Sequence, residues 1–146
     1  MKIIKGNFFD FVSEDKNILV PHVCNNVHKF GAGFAKSIAS KWPIVRSKFL
    51  DFDAILGEVQ FVDINKLTIA NMIAQNGVRS INDKKPLKYA HLIRCMNTVG
   101  IFAKKSNAEI HTIKFGSNLA GGNWGFIEEL IDELWDEIPV FIYVNE

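Results

Sequence analysis

The chain has 146 residues, 48% of them hydrophobic and 12% aromatic, with 17 Lys and Arg against 16 Asp and Glu for a net charge of +1. That length predicts a single domain over residues 1–146 with a sizeable core, and the hydrophobic fraction excludes a disordered chain. The even charge balance excludes a polyanion-coating protein, whose phosphate contacts need a basic excess, but leaves room for one small phosphorylated ligand held by backbone amides.

In chain order, Lys2 to Lys5 reads as a short strand. Asn17 to Cys24 reads as a second strand, in which Pro21 predicts a bulge or an edge position. Phe34, Ala35, Ile38, Ala39 and Trp42 follow helical spacing, and Pro43 predicts a break before a further helical stretch from Ile44 to Phe52. Glu58 to Val62 and Leu67 to Ala74 read as strands joined through 63–65. Leu92, Cys95, Met96, Val99, Phe102 and Ala103 form one apolar face of a long helix predicted to start near Pro86, a favoured first-turn residue. Glu109 to Phe115 alternates as a strand. Ile127, Leu130, Ile131 and Leu134 line a last helix with Asn123 as its N-cap, and Pro139 to Val144 closes as an apolar strand. About six strands alternating with four helices predict an α/β class with a largely parallel sheet.

In open α/β sheets ligands bind outside the carboxyl ends of the strands, so the loops that follow strands carry the candidate chemistry. Three stand out: Lys5 to Phe9; His22 to Ala35, which holds Asn25, His28, Gly31 and Gly33; and Phe115 to Trp124, which holds Ser117, Asn118, Gly121 and Gly122. The last two are glycine-bearing strand-to-helix turns. Glycine lets a backbone approach a ligand, and a helix start adds free N–H groups and a positive dipole end. Two such turns can grip a diphosphate without lysines. The alternative reading is that these glycines only permit tight turns. Neither the Walker pattern nor the G-x-G-x-x-G dinucleotide fingerprint is present.

His28 lies in the candidate ligand loop and is a candidate general acid or water-orienting group; a solvated loop residue is the alternative. His22 reads as a packed strand residue, and His91 and His111 as structural. No histidines pair at metal-ligand spacing, so no metal site and no cofactor are expected. Cys24 lies beside the second loop without an identifiable base, which favours a buried apolar role. Cys24 and Cys95 are too few for a disulfide framework, and no signal peptide or membrane-length apolar run is visible. A cytoplasmic protein without membrane association is expected. The acidic residues between Glu128 and Glu137 read as a solvated helix face.

Four stretches in order, KGNFFD, HVCNNVHKFGAGFAKSIASKWP, ANMIAQNGV and IKFGSNLAGGNW, resemble the macrodomain family of ADP-ribose-binding modules. The second stretch is the most specific, combining Cys24-Asn25, Gly31-Ala32-Gly33-Phe34-Ala35 and Trp42-Pro43. It is most similar to the branch of yeast-type ADP-ribose 1''-phosphate phosphatases and terminal ADP-ribose glycohydrolases. The resemblance implies a three-layer α/β/α macrodomain with a mixed, largely parallel sheet.

The resemblance also implies site roles. Asn7 stands where the family usually has an Asp for the adenine amino group, with the Phe8 backbone at the adenine edge and the chain near Tyr143 to Asn145 offering an adenine face. Cys24 and Asn25 lie at the distal ribose, with Asn25 positioning ribose or water. Gly31, Ala32, Gly33 and Phe34 wrap the diphosphate, and Ser117, Asn118, Leu119, Ala120, Gly121 and Gly122 form the second phosphate loop. The glycohydrolase branch uses a Lys nucleophile and an Asp, but those positions are Gln75 and Ala120. Gln75 cannot form a Schiff base and Ala120 cannot exchange protons, so the lysine mechanism is excluded.

The expected function is therefore ADP-ribose binding with hydrolysis of ADP-ribose 1''-phosphate to ADP-ribose and phosphate, Asn25 and His28 being the catalytic candidates. The alternatives are a non-catalytic ADP-ribose reader, a hydrolase removing ADP-ribose esters from protein or nucleic acid, and a nucleotide-binding α/β domain outside the family. Partners on this view are ADP-ribose, its 1''-phosphate or ADP-ribosylated macromolecules.

Overall fold

The structure is a computed structural model that describes residues 1–145. Its strands are β1 (Lys2–Lys5), β2 (Ile18–Asn25), β3 (Val59–Ile64), β4 (Leu67–Gln75), β5 (Glu109–Ile113) and β6 (Val140–Val144). Its helices are α1 (Phe8–Phe11), α2 (Gly33–Lys41), α3 (Pro43–Leu50), α4 (Tyr89–Ser106) and α5 (Trp124–Leu134). The strands form one sheet in the order β1-β6-β5-β2-β4-β3. All neighbours are parallel except β3, which pairs antiparallel with β4.

Strand periodicity divides the core into two layers. From β2 and β4, Leu19, Ala70, Met72 and Ala74 pack toward α4 and α5 with Leu92, Met96 and Ile131. Ile18, Val20, Ile69 and Ile73 pack toward α2 and α3 with Ile38, Val45 and Phe49. β4 is buried along eight of its nine residues, which is why it reads as a continuous apolar run rather than an alternating one. Burying a side chain such as Phe49 contributes roughly 1.5–3 kcal/mol, and both faces of the sheet depend on many of them.

Three expectations change in detail. Pro21 lies inside β2, between β4 and β5, rather than at an edge. The paired ladder from β2 to β5 covers Ile18 and Leu19 only, and the Thr112 hydroxyl then donates to the Pro21 carbonyl at 2.6 Å. That carbonyl faces β5, so the missing proline N–H falls on the side where the ladder has already stopped. The long helix begins at Tyr89, not near Pro86. The Pro86 carbonyl instead accepts from Asn76 N–H, and Leu87 bridges Gln75, so this segment extends alongside the end of β4. A fifth helix, α1, is a single turn capped by Asn7, too short for periodicity to reveal.

Candidate functional site

The parallel strands β2, β4 and β5 end at Asn25, Gln75 and Ile113, and all three residues line one cleft of about 540 Å3 at the carboxyl edge of the sheet. This size suits a small-molecule ligand.

One wall is the segment from β2 into α2. Asn25 shapes it: its Oδ1 accepts from Val27 N–H and Lys29 N–H, both at 3.0 Å, and its Nδ2 donates to the Lys29 carbonyl at 2.8 Å. The side chain thus folds its own loop into a ring, with one amide hydrogen left over. Asn26 ties the same loop to the next, donating its backbone N–H to Gln75 O at 3.1 Å and accepting from Gly77 N–H at 2.8 Å. Gly31, Ala32, Gly33, Phe34 and Ala35 line the cleft. Gly33 takes a left-handed φ of +58°, and a Cβ at either glycine would meet no atom within 4 Å. Ala32, the N-cap of α2, offers no capping side chain. The first-turn N–H groups of α2 therefore face the cleft uncapped, where the dipole end favours an anion.

The opposite wall follows β5. Asn118, Leu119 and Ala120 line the cleft, and their N–H groups donate to no protein acceptor among the described residues. Ser117, Gly121 and Gly122 do not line it. Gly121 and Gly122 N–H donate to the Asn118 and Gly116 carbonyls at 3.1 and 2.8 Å. A Cβ on Gly121 would meet the backbone of Lys84 and Lys85, and one on Gly122 would lie 2.5 Å from Gly116 O. These two glycines serve close packing. The start of α5 is as expected, with Asn123 as its N-cap. Asn123 accepts from Phe126 N–H at 3.0 Å, so this helix end is already satisfied by the protein.

The floor contains His22 and Cys24, neighbours on one face of β2. His22 Nε2 donates to Asn71 Oδ1 at 2.5 Å, and Asn71 Nδ2 donates to Gln60 Oε1 at 3.0 Å. Burial pushes the His22 pKa down to about 4, opposed by the Asn71 bond, so the imidazole is neutral at pH 7. Cys24 Sγ lies 3.6 Å from Nε2 and 4.0 Å from Nδ1. The nitrogen nearer the sulfur already carries the proton given to Asn71, and burial raises the thiol pKa well above its usual value, with Cys95 adding to it. No thiolate forms, in keeping with the apolar role read from the sequence.

The remaining sequence candidates sit elsewhere. His28 lies outside the cleft lining. Its backbone is left-handed (φ +59°), its Nε2 donates to Phe52 O at 2.7 Å, and its ring packs on Phe49. Its placement against α3 and the following turn brings no ring nitrogen to the cleft. Asn7 spends its carbonyl on Phe9 N–H at 3.0 Å. Phe8 is buried, edge-on to Phe9, Phe34 and Tyr143, and so touches the cleft wall through Phe34. Phe11 stacks on Tyr143 at 5.7 Å, and the Tyr143 hydroxyl meets His111 Nδ1 at 2.7 Å. Asn7, Phe8 and Tyr143 are thus gathered at the β1–β6 end, beside the cleft and not within its lining.

Sequence reasoning missed Val78, Arg79, Lys29 and Lys114, all of which line the cleft. The Asn76-Gly77 turn directly after a strand was the available signal for the first two. Among the described residues no group of three or more His, Cys, Asp or Glu could hold a metal ion, and no helix is long and apolar enough to cross a membrane.

No family model matches the chain. An uncharacterized 17.5 kDa protein of Enterobacteria phage T4 is 24% identical over 154 residues, spanning 97% of this chain and 94% of its own. A macrodomain protein from Streptomyces coelicolor has a TM-score of 0.80 at 28% identity over 99% of both chains. The macrodomain of Thermus aquaticus DarG has a TM-score of 0.78 at 15% identity, over 98% of this chain and 97% of that one. The six-stranded mixed sheet between two helical layers is the macrodomain fold. Within it, the chain belongs to the same family as a solved Bacteroides thetaiotaomicron protein of unknown function, 30% identical over 98% of both chains with a TM-score of 0.87.

Proposed function

We propose that this protein binds ADP-ribose in the cleft and removes phosphate from ADP-ribose 1''-phosphate. The observation that carries the binding is the pair of main-chain walls, residues 31–35 and 118–120, facing each other across the carboxyl edge of the sheet with N–H groups uncommitted. A diphosphate between them meets fixed dipoles on both sides. The solved DarTG of Thermosipho africanus, which shares the fold at 17% identity, is in complex with ADP-ribose. The branch suggested by the sequence motifs favours the phosphatase reaction.

In that reaction water attacks phosphorus, the bond from phosphorus to the 1''-oxygen breaks, and the leaving ribose takes a proton. The cleft contributes position and electrostatics: the walls hold the diphosphate, the spare Nδ2 hydrogen of Asn25 can donate to ribose or water, and amide dipoles stabilise developing charge. No carboxylate lines the cleft, and His22 is a weak base committed to Asn71. Turnover is therefore slow.

Gln75 and Ala120 in place of proton-transferring groups favour a second reading, a reader that binds ADP-ribose without converting it. Calorimetry with ADP-ribose beside a phosphate-release assay on the 1''-phosphate separates the two. Binding with release above the buffer rate is expected. Binding without release leaves the reader, and no binding removes both.

A further inference from the structure

We infer that Arg79 selects a terminal ribose that bears a phosphate over one that does not. The inference rests on the ADP-ribose reading of the cleft and adds a specificity residue to it.

The cleft lining holds Lys29, Arg79 and Lys114 but no Asp or Glu. In a chain of nearly balanced charge this is a local excess, and it exceeds what a diphosphate cradled by backbone amides needs. Of these cations Arg79 alone is a guanidinium, whose planar fork can take one phosphate by two N–H donors where a lysine offers a point charge. Lys114 Nζ lies 5.8 Å from the centre of the Trp124 ring, a position that already satisfies part of its charge. Arg79 has no ion pair among the described residues; the acid of its own loop, Asp83, faces Lys88 at 3.9 Å and accepts from Lys85 N–H at 3.1 Å.

The backbone that carries Arg79 is pinned on both sides. Gly77 N–H donates to Asn26 Oδ1 at 2.8 Å, and Ser80 N–H donates to Asp83 O at 2.8 Å. The exposed guanidinium, with no hydrogen bond or ion pair among the described residues, is open to take a phosphate by two parallel N–H donors.

Position identifies which phosphate. Arg79 follows β4, whereas Phe8 and Tyr143 mark the β1–β6 end, with β5 and β2 between. A ligand whose base lies toward Phe8 and whose diphosphate lies between the walls puts its far sugar at the β4 end, beside Gln75, Val78 and Arg79.

The test is calorimetry on the full chain with two ligands: ADP-ribose, and its 1''-phosphonate analogue, whose C–P bond resists hydrolysis. The wild type should bind the phosphonate about tenfold more tightly. Arg79→Gln should bring that ratio close to one, Arg79→Lys should keep part of it, and Lys114→Gln should weaken both ligands by a similar factor. An unchanged ratio in Arg79→Gln, or an equal loss for both ligands, overturns the inference. A wild type that binds ADP-ribose with no preference for the phosphonate removes the inference alone, while one that binds neither removes the ADP-ribose reading with it.

Discussion

Residues 26–33, which run into the first residue of α2, and residues 114–123 both carry glycines where a buried strand leads into a helix, yet only the first segment leaves its glycines in open space. Gly31 and Gly33 face the cleft with room for a Cβ, whereas Gly121 and Gly122 are closed in by Lys84, Lys85 and Gly116. The first segment takes its shape from one side chain, Asn25, and from its ties to β4. The second takes its shape from a neighbour: Leu87 N–H donates to Ala120 O at 3.1 Å, so residues 84–87 and 116–122 clasp each other. One helix start is uncapped and turned to the ligand, while the other is capped by Asn123. Similar sequence punctuation therefore serves ligand access on one wall and close packing on the other.

The sharpest way to break this comparison is Gly121→Ala. A Cβ there meets the Lys84–Lys85 backbone at a residue with φ of +79°, and left-handed strain plus overpacking should cost about 3 kcal/mol in denaturant unfolding. A loss below about 1 kcal/mol would show that the clasp yields easily.

Acid should attack the other wall. His22 lies beneath it, edge-on to Phe30 and Phe34 at 5.6 and 6.0 Å. Its pKa falls from 6.5 to about 4 on folding, so the folded state excludes a proton that the unfolded state binds. Its contribution is intact above pH 6.5 and is lost as pH falls toward 4, by on the order of 3 kcal/mol over that window. His22→Gln should flatten that part of the stability profile. Hydrogen exchange at pH 4.5 should rise in residues 26–34 before residues 116–122; the reverse order would detach His22 from the first wall.

Asn25→Ala removes three hydrogen bonds and should cost about 1–2 kcal/mol, with ADP-ribose affinity and phosphate release falling together. A fall in release alone would give Asn25 a direct part in the chemistry. Gly31→Ala should change stability by less than about 0.5 kcal/mol, and any effect on ADP-ribose affinity then reads the ligand's proximity directly.

Most elements were legible because their signals are local. β4 is one apolar run, α5 opens at a capping Asn, and the two glycine loops are punctuated by residue type. What escaped depends on tertiary placement. Arg79 reaches the cleft because Asn26 and Asp83 hold its loop, a pairing no spacing reveals. Pro21 looks unfit for a central strand until Thr112 is seen to take over on the side where β5 stops pairing. The resemblance implies a base-binding role for Asn7, but the fold shows its carbonyl at Phe9 N–H, capping a one-turn helix too short for periodicity to reveal. His28 shares a loop with the cleft residues, but its left-handed backbone turns it toward Phe52.

The short β2–β5 ladder has a mechanical consequence. Beyond Leu19 the paired main chain between the sheet's two halves, β1-β6-β5 and β2-β4-β3, gives way to the Thr112 hydroxyl on the Pro21 carbonyl. The cleft opens over that seam, with one wall rooted in each half. A diphosphate gripped from both sides is then a rivet across the sheet, and occupancy should slow the exchange of amides flanking the join more than those of the outer strands.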